Sequence, residues 1–81
     1  MESSDIINFL EHKGVKATAN RLLIFKALLD VHKPMSLSAL EDALPDMDKS
    51  SIFRVMSMFL EHDVVHAFED GRGVVNYELC S

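Results

Sequence analysis

The chain has 81 residues, of which 48% are apolar, and it carries a formal net charge of −5 and a single cysteine. A chain of this length forms one small domain, near the lower size at which one core suffices without metal or disulfides. The lone Cys80 excludes a disulfide within the chain and a paired-cysteine zinc site, and it fits a reducing cytoplasm. No apolar run approaches a membrane span, and the acidic start MESSD does not resemble a signal peptide.

The first third of the chain predicts two amphipathic helices. In SSDIINFLEHKG, Ser3 or Ser4 is the candidate N-cap and Gly14 marks the end of the helix. Thr18 is the candidate N-cap of a second helix, which ends at the segment HKPM. The apolar stripe of that second helix consists of Leu22, Phe25, Leu28 and Leu29.

The middle of the chain predicts a helix-turn-helix pair. Ser36 caps a short third helix, and Pro45 ends it because the residue before a proline is pushed out of the α region. The inward positions of this helix are Leu37, Leu40, Ala43 and Leu44. Only residues 45–48 separate it from a fourth helix, at whose start Asp48 occupies the N-cap position.

The fourth helix has two contrasting faces. Its buried stripe is predicted to consist of Ile52, Val55, Met56 and Phe59. The opposite face carries Ser50, Arg54, Ser57 and Glu61, with Phe53 near the boundary. A face with short hydroxyl side chains, an aromatic edge and one arginine can approach the major groove of DNA, which admits an α-helix. An ordinary solvated face is the alternative, and this helix alone leaves both interpretations open.

The last part of the chain predicts β structure. VVHAF and GVVNYEL are rich in β-branched and aromatic residues, and Asp70-Gly71 between them predicts a type I′ turn, in which both central residues have positive φ. The predicted fold is therefore mainly α with a β-hairpin. It is a winged helix-turn-helix with about four helices followed by a two-stranded wing.

The charges are distributed unevenly along the chain. A net charge of −5 argues against non-specific adhesion to nucleic acid, because neutralising phosphate needs a positive surface. Between residues 13 and 33, however, the only acid is Asp30, and the basic residues are Lys13, Lys16, Arg21, Lys26 and Lys33. A local positive patch is therefore predicted.

Four segments, in this order, resemble the DNA-binding domain of the ferric uptake regulator family: GVKATANRLLIFKALLD, SLSALEDAL, SSIFRVMSMFLEHDVV and FEDGRGVVNYEL. They contain a G-x-K-x-T-x-x-R segment starting at Gly14, and S-I-F-R where T-V-Y-R is more usual. The resemblance implies a metal-responsive transcriptional repressor that binds operator DNA as a homodimer. It also implies that residues 1–81 are the winged-helix domain, and that the family's C-terminal metal-binding dimerisation domain is absent from this chain.

The resemblance assigns roles to individual residues. Lys16 matches a lysine near the minor groove, and Arg21 matches a basic residue that helps to hold the duplex. Phe53 matches a base-reading tyrosine and Arg54 an arginine on the phosphate backbone. Phenylalanine lacks the tyrosine hydroxyl, so contact with a thymine methyl group remains possible while a hydrogen bond is lost. The complete predicted DNA-binding set is Lys16, Arg21, Lys49, Ser50, Ser51, Phe53, Arg54 and Arg72.

The resemblance also concerns metals. Glu78 occupies the place of a family glutamate that joins a metal site, but only together with the missing domain. No cofactor is expected on this chain alone, and zinc or iron is implied for the full-length protein. The four histidines stand on separate predicted elements, so His62 and His66, although four residues apart, do not form the pair on one helix face that is typical of a metal site.

Two functions are compatible with these patterns. The first is the sequence-specific DNA-reading module of a repressor, whose partner is double-stranded operator DNA. The alternative is a winged-helix protein–protein interaction module without DNA binding, which the acidic net charge and the predicted exposure of Phe53 and Met58 favour. An enzyme is not expected, because Asp46 and Asp48 are better explained as turn and cap residues and no serine stands in a nucleophile elbow. Neither a membrane nor a small-molecule substrate is expected as a partner.

Overall fold

The computed structural model describes residues 2–80, and this part of the chain forms four helices and three strands. The helices are α1 (Ser3–His12), α2 (Ala19–Val31), α3 (Leu37–Ala43) and α4 (Lys49–Glu61), and the strands are β1 (Met35–Ser36), β2 (Val65–Glu69) and β3 (Val75–Leu79). This order confirms the predicted winged helix-turn-helix class. Within residues 2–80, none of the helices has the length and hydropathy that a membrane span requires.

Three of the helices begin where side-chain caps predict. Thr18, Ser36 and Asp48 precede α2, α3 and α4, and each accepts a backbone N–H three residues further on, at 3.4, 3.1 and 3.3 Å. Each bond satisfies one of the donors that a helix start leaves without a partner. The start of every one of these helices is therefore fixed by a local contact.

The predicted start of α1 is wrong by one or two residues. The N-cap is Glu2 rather than Ser3 or Ser4, so the helix begins at Ser3. The Asp5 carboxylate accepts the backbone N–H of Glu2 at 3.4 Å. This backward bond from the third helical residue belongs to a capping box, and it moves the cap ahead of both serines.

A single apolar core lies where the helices meet the sheet. Its buried side chains are Ile6, Leu10, Val15, Ile24, Phe25, Leu28, Met35, Leu40, Ile52, Met56, Phe59, Val64 and Val65. No polar or charged side chain of the described residues is buried. The predicted stripe of α4 is confirmed, with Val55 half-buried at its edge. The opposite face of α4 therefore contributes nothing to the core.

Two residues lie differently from the prediction. Ala43 is exposed rather than inward, because it lies toward the edge of the α3 stripe and α3 ends at this residue. Met58 is half-buried and packed against the core rather than exposed, since its long, flexible side chain reaches back to the core from outside the stripe. The exposed apolar surface of α4 is thus concentrated at Phe53 and Leu60.

The predicted hairpin is confirmed, and a third strand joins it. The antiparallel sheet has the order β1-β3-β2, with Met35 opposite Tyr77 and Ser36 opposite Asn76. A strand of two residues shows no alternation that a sequence pattern could reveal. Its pairing ties the start of α3 to the wing, so the helix-turn-helix and the wing have a fixed relation.

The turn of the hairpin is not the predicted type I′ turn. Positive φ is found at Gly73 (79°) and at neither Asp70 nor Gly71. The Asp70 N–H donates to the Val74 carbonyl at 2.9 Å, which closes a three-residue loop ending in a left-handed glycine. The Asp70 carboxylate also accepts the N–H groups of Arg72 at 2.8 Å and of Val74 at 3.1 Å. A three-residue backbone turn, reinforced by the aspartate side chain, thus takes the place of the expected type I′ turn.

Candidate nucleic-acid interface

The outer face of α4 presents a mixed apolar and polar surface. Phe53 is 56% exposed, and Ser50, Arg54 and Ser57 are exposed as well. The core stripe on the other face anchors the helix, so these side chains project from a rigid element. The Phe53 ring, the Ser50 hydroxyl and the Arg54 guanidinium on the first half of one rigid helix can contact base edges and phosphates of a duplex.

The start of α4 is held by Asp48 and Ser51. The Ser51 hydroxyl donates to Asp48 Oδ1 at 2.6 Å, and the Ser51 N–H donates to Asp48 Oδ2 at 3.3 Å. The side-chain bond from Ser51 is the main reason why the pKa of the Asp48 carboxyl is lowered. Of the predicted contact residues, Ser51 is therefore engaged in capping, whereas Ser50 remains exposed beside it.

Lys49 connects the two helices of the helix-turn-helix. Its ammonium nitrogen lies 3.7 Å from Glu41 Oε1 on α3, and its side chain is 84% exposed. Exposed ion pairs of this kind stabilise a protein by about 0–1 kcal/mol, so a phosphate group can replace the carboxylate at little cost. Lys49 remains available for a polyanion.

Lys16, in the turn between α1 and α2, is held by Arg21 in the first turn of α2. Arg21 Nη1 donates to the Lys16 carbonyl oxygen at 2.8 Å, and Lys16 itself is exposed. A guanidinium has five N–H donors, so this bond leaves others free for a phosphate. The arginine thus holds the turn that presents the lysine.

Arg72 stands apart at the tip of the hairpin. Its guanidinium lies 3.3 Å from Asp70 Oδ2, and its side chain is 84% exposed. Asp70 accepts four hydrogen bonds from this turn and from Asn76, and the backbone bonds from Arg72 and Val74 are the largest reasons why its pKa is lowered. Arg72 therefore projects from a well-fixed tip.

Glu78 belongs to a different cluster. Its Oε1 lies 2.8 Å from His66 Nε2, and the other ring nitrogen of His66 lies 3.5 Å from Cys80 Sγ. His32 also lines the adjoining cavity of about 410 Å³. Among the described residues, however, no three His, Cys, Asp or Glu side chains are arranged to hold a metal ion. The residues present do not fit a metal site, and metal binding by Glu78 with ligands from elsewhere stays a prediction.

The two carboxylates with lowered pKa predict a pH dependence of stability. Because Asp48 and Asp70 have folded pKa values below the ordinary 3.8, their contribution is present above that pH and is lost as pH falls through the folded values. We expect thermal unfolding, followed by circular dichroism, to shift to lower temperature below about pH 4. Asp48→Asn keeps an oxygen acceptor but does not titrate, so it should flatten part of this dependence. An unchanged pH profile in both Asp48→Asn and Asp70→Asn would contradict the assignment.

Sequence patterns miss the contacts that restrain the basic residues. In two of these contacts the Glu41 carboxylate pairs with the Lys49 ammonium, and the Asp70 carboxylate pairs with the Arg72 guanidinium. A further one is His62 at the end of α4, whose Nδ1 lies 3.0 Å from the Lys13 carbonyl oxygen. The two residues of this last contact are 49 positions apart, so no local signal could have revealed it.

The order of the elements and the three-stranded sheet define a winged-helix domain. No protein-family model and no curated protein matches the sequence. Solved structures do match. The ferric uptake regulator of Vibrio cholerae superposes with a TM-score of 0.85 at 24% identity, over 95% of this chain and 63% of that chain.

Two further regulators share the fold. The ferric uptake regulator of Pseudomonas aeruginosa, determined with manganese, gives a TM-score of 0.81 at 23% identity, over 91% of this chain and 59% of that chain. PerR of Streptococcus pyogenes gives 0.76 at 14% identity, over 93% and 54%. The chain thus spans about half to three fifths of these proteins, on the part that forms their N-terminal DNA-binding domain. The predicted resemblance is confirmed at the level of the fold.

Proposed function

We propose that the chain is the sequence-specific DNA-binding module of a metal-responsive transcriptional repressor of the ferric uptake regulator type. The observation that carries this proposal is the outer face of α4, where Phe53 is 56% exposed beside Arg54 on a helix whose other face is buried. A single exposed phenylalanine is common on protein surfaces, but here the ring stands beside an arginine on a rigid helix, and the major groove accepts such a helix.

Each part of this face has a separate role in the proposal. The Phe53 ring contacts thymine methyl groups and thereby contributes to base identity. Ser50 hydrogen-bonds to base edges or phosphates. Arg54 binds the phosphate backbone, and Lys49 exchanges Glu41 for a phosphate, so both position the helix without reading sequence.

The remaining basic residues contact the duplex outside the major groove. Lys16 binds the DNA backbone from the turn between α1 and α2, Arg21 binds it from the first turn of α2, and Arg72 binds it from the wing. Because the chain as a whole has a charge of −5, affinity depends on these few cations and not on a general attraction. Binding should therefore be sensitive to each of them.

Dimerisation and metal control belong, in this proposal, to a domain outside this chain. The compared regulators are longer than the match, and the ferric uptake regulator of Helicobacter pylori has three functional metal-binding sites. Glu78 contributes to metal binding only together with ligands from that domain. Half-site pairing by a dimer multiplies affinity, so the 81-residue chain alone should bind DNA weakly and without metal control.

The test is a titration of a fluorescent 20-bp duplex with the 81-residue chain at several salt concentrations. Affinity should lie roughly in the micromolar range or weaker, and it should fall with salt by about 0.9 log units per log unit of salt for every phosphate contacted. Addition of Zn²⁺, Fe²⁺ or a chelator should not change it. A large gain with metal would contradict metal-independent binding. Absence of salt-sensitive binding would favour the protein-interaction alternative, since an apolar contact hardly responds to salt.

A further inference from the structure

The turn that carries Lys16 begins with a tightly bonded helix end. The Val15 N–H donates to the Leu10 carbonyl at 2.9 Å and the Gly14 N–H to the Glu11 carbonyl at 3.0 Å, while Gly14 has φ of 79°. These bonds form a Schellman motif, which satisfies two of the carbonyls at the end of α1. The carbonyl of Lys13, one residue before Gly14, takes no part in these two bonds.

His62 from the end of α4 satisfies that carbonyl. Its Nδ1 lies 3.0 Å from the Lys13 oxygen, and a Cβ on Gly14 would lie 3.5 Å from the same nitrogen. A carbonyl oxygen only accepts, so the proton must be on Nδ1 and the imidazole donates. The half-buried ring therefore fastens the turn to the helix that carries the candidate base-reading face.

The rest of the turn is held as well, and one side chain is left free. The Lys13 ammonium lies 5.6 Å from the centre of the Phe9 ring, so this lysine is directed back onto α1. The Lys16 carbonyl accepts from Arg21 at 2.8 Å, while the Lys16 side chain is exposed and forms no ion pair with any of residues 2–80. The turn is fixed at both ends, and it presents Lys16.

We propose that His62 is a positioning residue of the DNA interface. Its hydrogen bond to Lys13 fixes Lys16 relative to α4, so that the basic turn and the base-reading helix meet one duplex in a single orientation. A short DNA duplex is stiff. If the basic turn and α4 are already aligned with it, binding avoids the cost of ordering the turn. This inference rests on the proposed DNA-binding function.

Two matched variants separate the hydrogen bond from the bulk of the ring. Asparagine places an amide N–H at the same distance from Cβ as histidine Nδ1, so His62→Asn keeps the donor, whereas His62→Leu removes it and retains volume. Both are titrated with the duplex that the parent selects from a random-sequence library, and Lys16→Ala is introduced into each background. His62→Ala replaces His62→Leu if the latter does not fold by circular dichroism.

We expect His62→Asn to bind within about twofold of the parent, and His62→Leu to bind about fivefold more weakly, the factor that corresponds to one hydrogen bond. Lys16→Ala should weaken the parent and His62→Asn but have a smaller effect in His62→Leu. A purely structural role would lower the melting temperature and leave the effect of Lys16→Ala unchanged, and that result overturns the proposal. If the parent itself shows no salt-sensitive binding, the proposed function fails and the positioning role fails with it.

Discussion

Replacing Phe59 by alanine should lower the free energy of unfolding by about 3–5 kcal/mol. Phe59 is 0% exposed and is the largest of the fully buried side chains on α4. The loss combines the removal of an aromatic ring from the core with the cavity that remains. Domains are stable by only about 5–15 kcal/mol, and one of this size stands near the lower end, so much of the Phe59→Ala population should be unfolded at 37 °C.

Phe53→Ala is the matched control, because the same substitution is made on the same helix at a residue that is 56% exposed. It should change the free energy of unfolding by less than about 0.5 kcal/mol. Urea denaturation followed by circular dichroism gives both values. Equal destabilisation by the two substitutions would contradict the assignment of the two faces of α4.

The second large expected effect is a loss of DNA affinity when residues on the outer face of α4 are replaced. Phe53→Ala should cost about 1–3 kcal/mol on the duplex that the parent prefers and little on a scrambled duplex, the usual scale of a lost base contact. Arg54→Ala should weaken binding to both duplexes and lower the salt slope by roughly one, because a phosphate contact carries no sequence information directly. The two substitutions therefore fail in different ways, although the residues are neighbours.

Anisotropy titrations on both duplexes at two salt concentrations distinguish these effects. The control is Ser57→Ala, on the same exposed face one turn beyond Phe53 but outside the predicted contact set, which should bind like the parent. If folded Phe53→Ala and Arg54→Ala both bind as well as the parent, the outer face of α4 is merely solvated.

Those parts of the fold that depend on local contacts could be predicted from the sequence. Thr18, Ser36 and Asp48 cap helices through residues three positions away, and the spacing of Ile52, Met56 and Phe59 identifies the buried face of α4. Strand β1 could not be predicted, because two residues have no period and its partner, β3, is about 40 positions away. The turn of the hairpin was predicted as the wrong type although its contacts are local, because two glycines offer alternative places for the positive φ, and it is Gly73 rather than Gly71 that adopts it.

The candidate site also has features that the sequence could predict and features that it could not. The exposure of Phe53 and Arg54 follows from helical periodicity, whereas their predicted roles come from the family resemblance. Restraints on the basic residues depend on tertiary structure. The partner of Lys49 lies on the preceding helix and that of Lys13 at the far end of α4, so neither Glu41 nor His62 has a signature in the sequence.

Whether α4 reads DNA is tested most directly by mapping the amide chemical shifts of the ¹⁵N-labelled chain as the preferred duplex is added. We expect the largest changes on the first half of α4, around Phe53 and Arg54, with further changes at Lys16 and Arg72. Residues near Glu78, on the sheet, should change little. Changes centred on the sheet, or spread evenly at all salt concentrations with none concentrated on α4, would contradict the claim that this helix reads DNA.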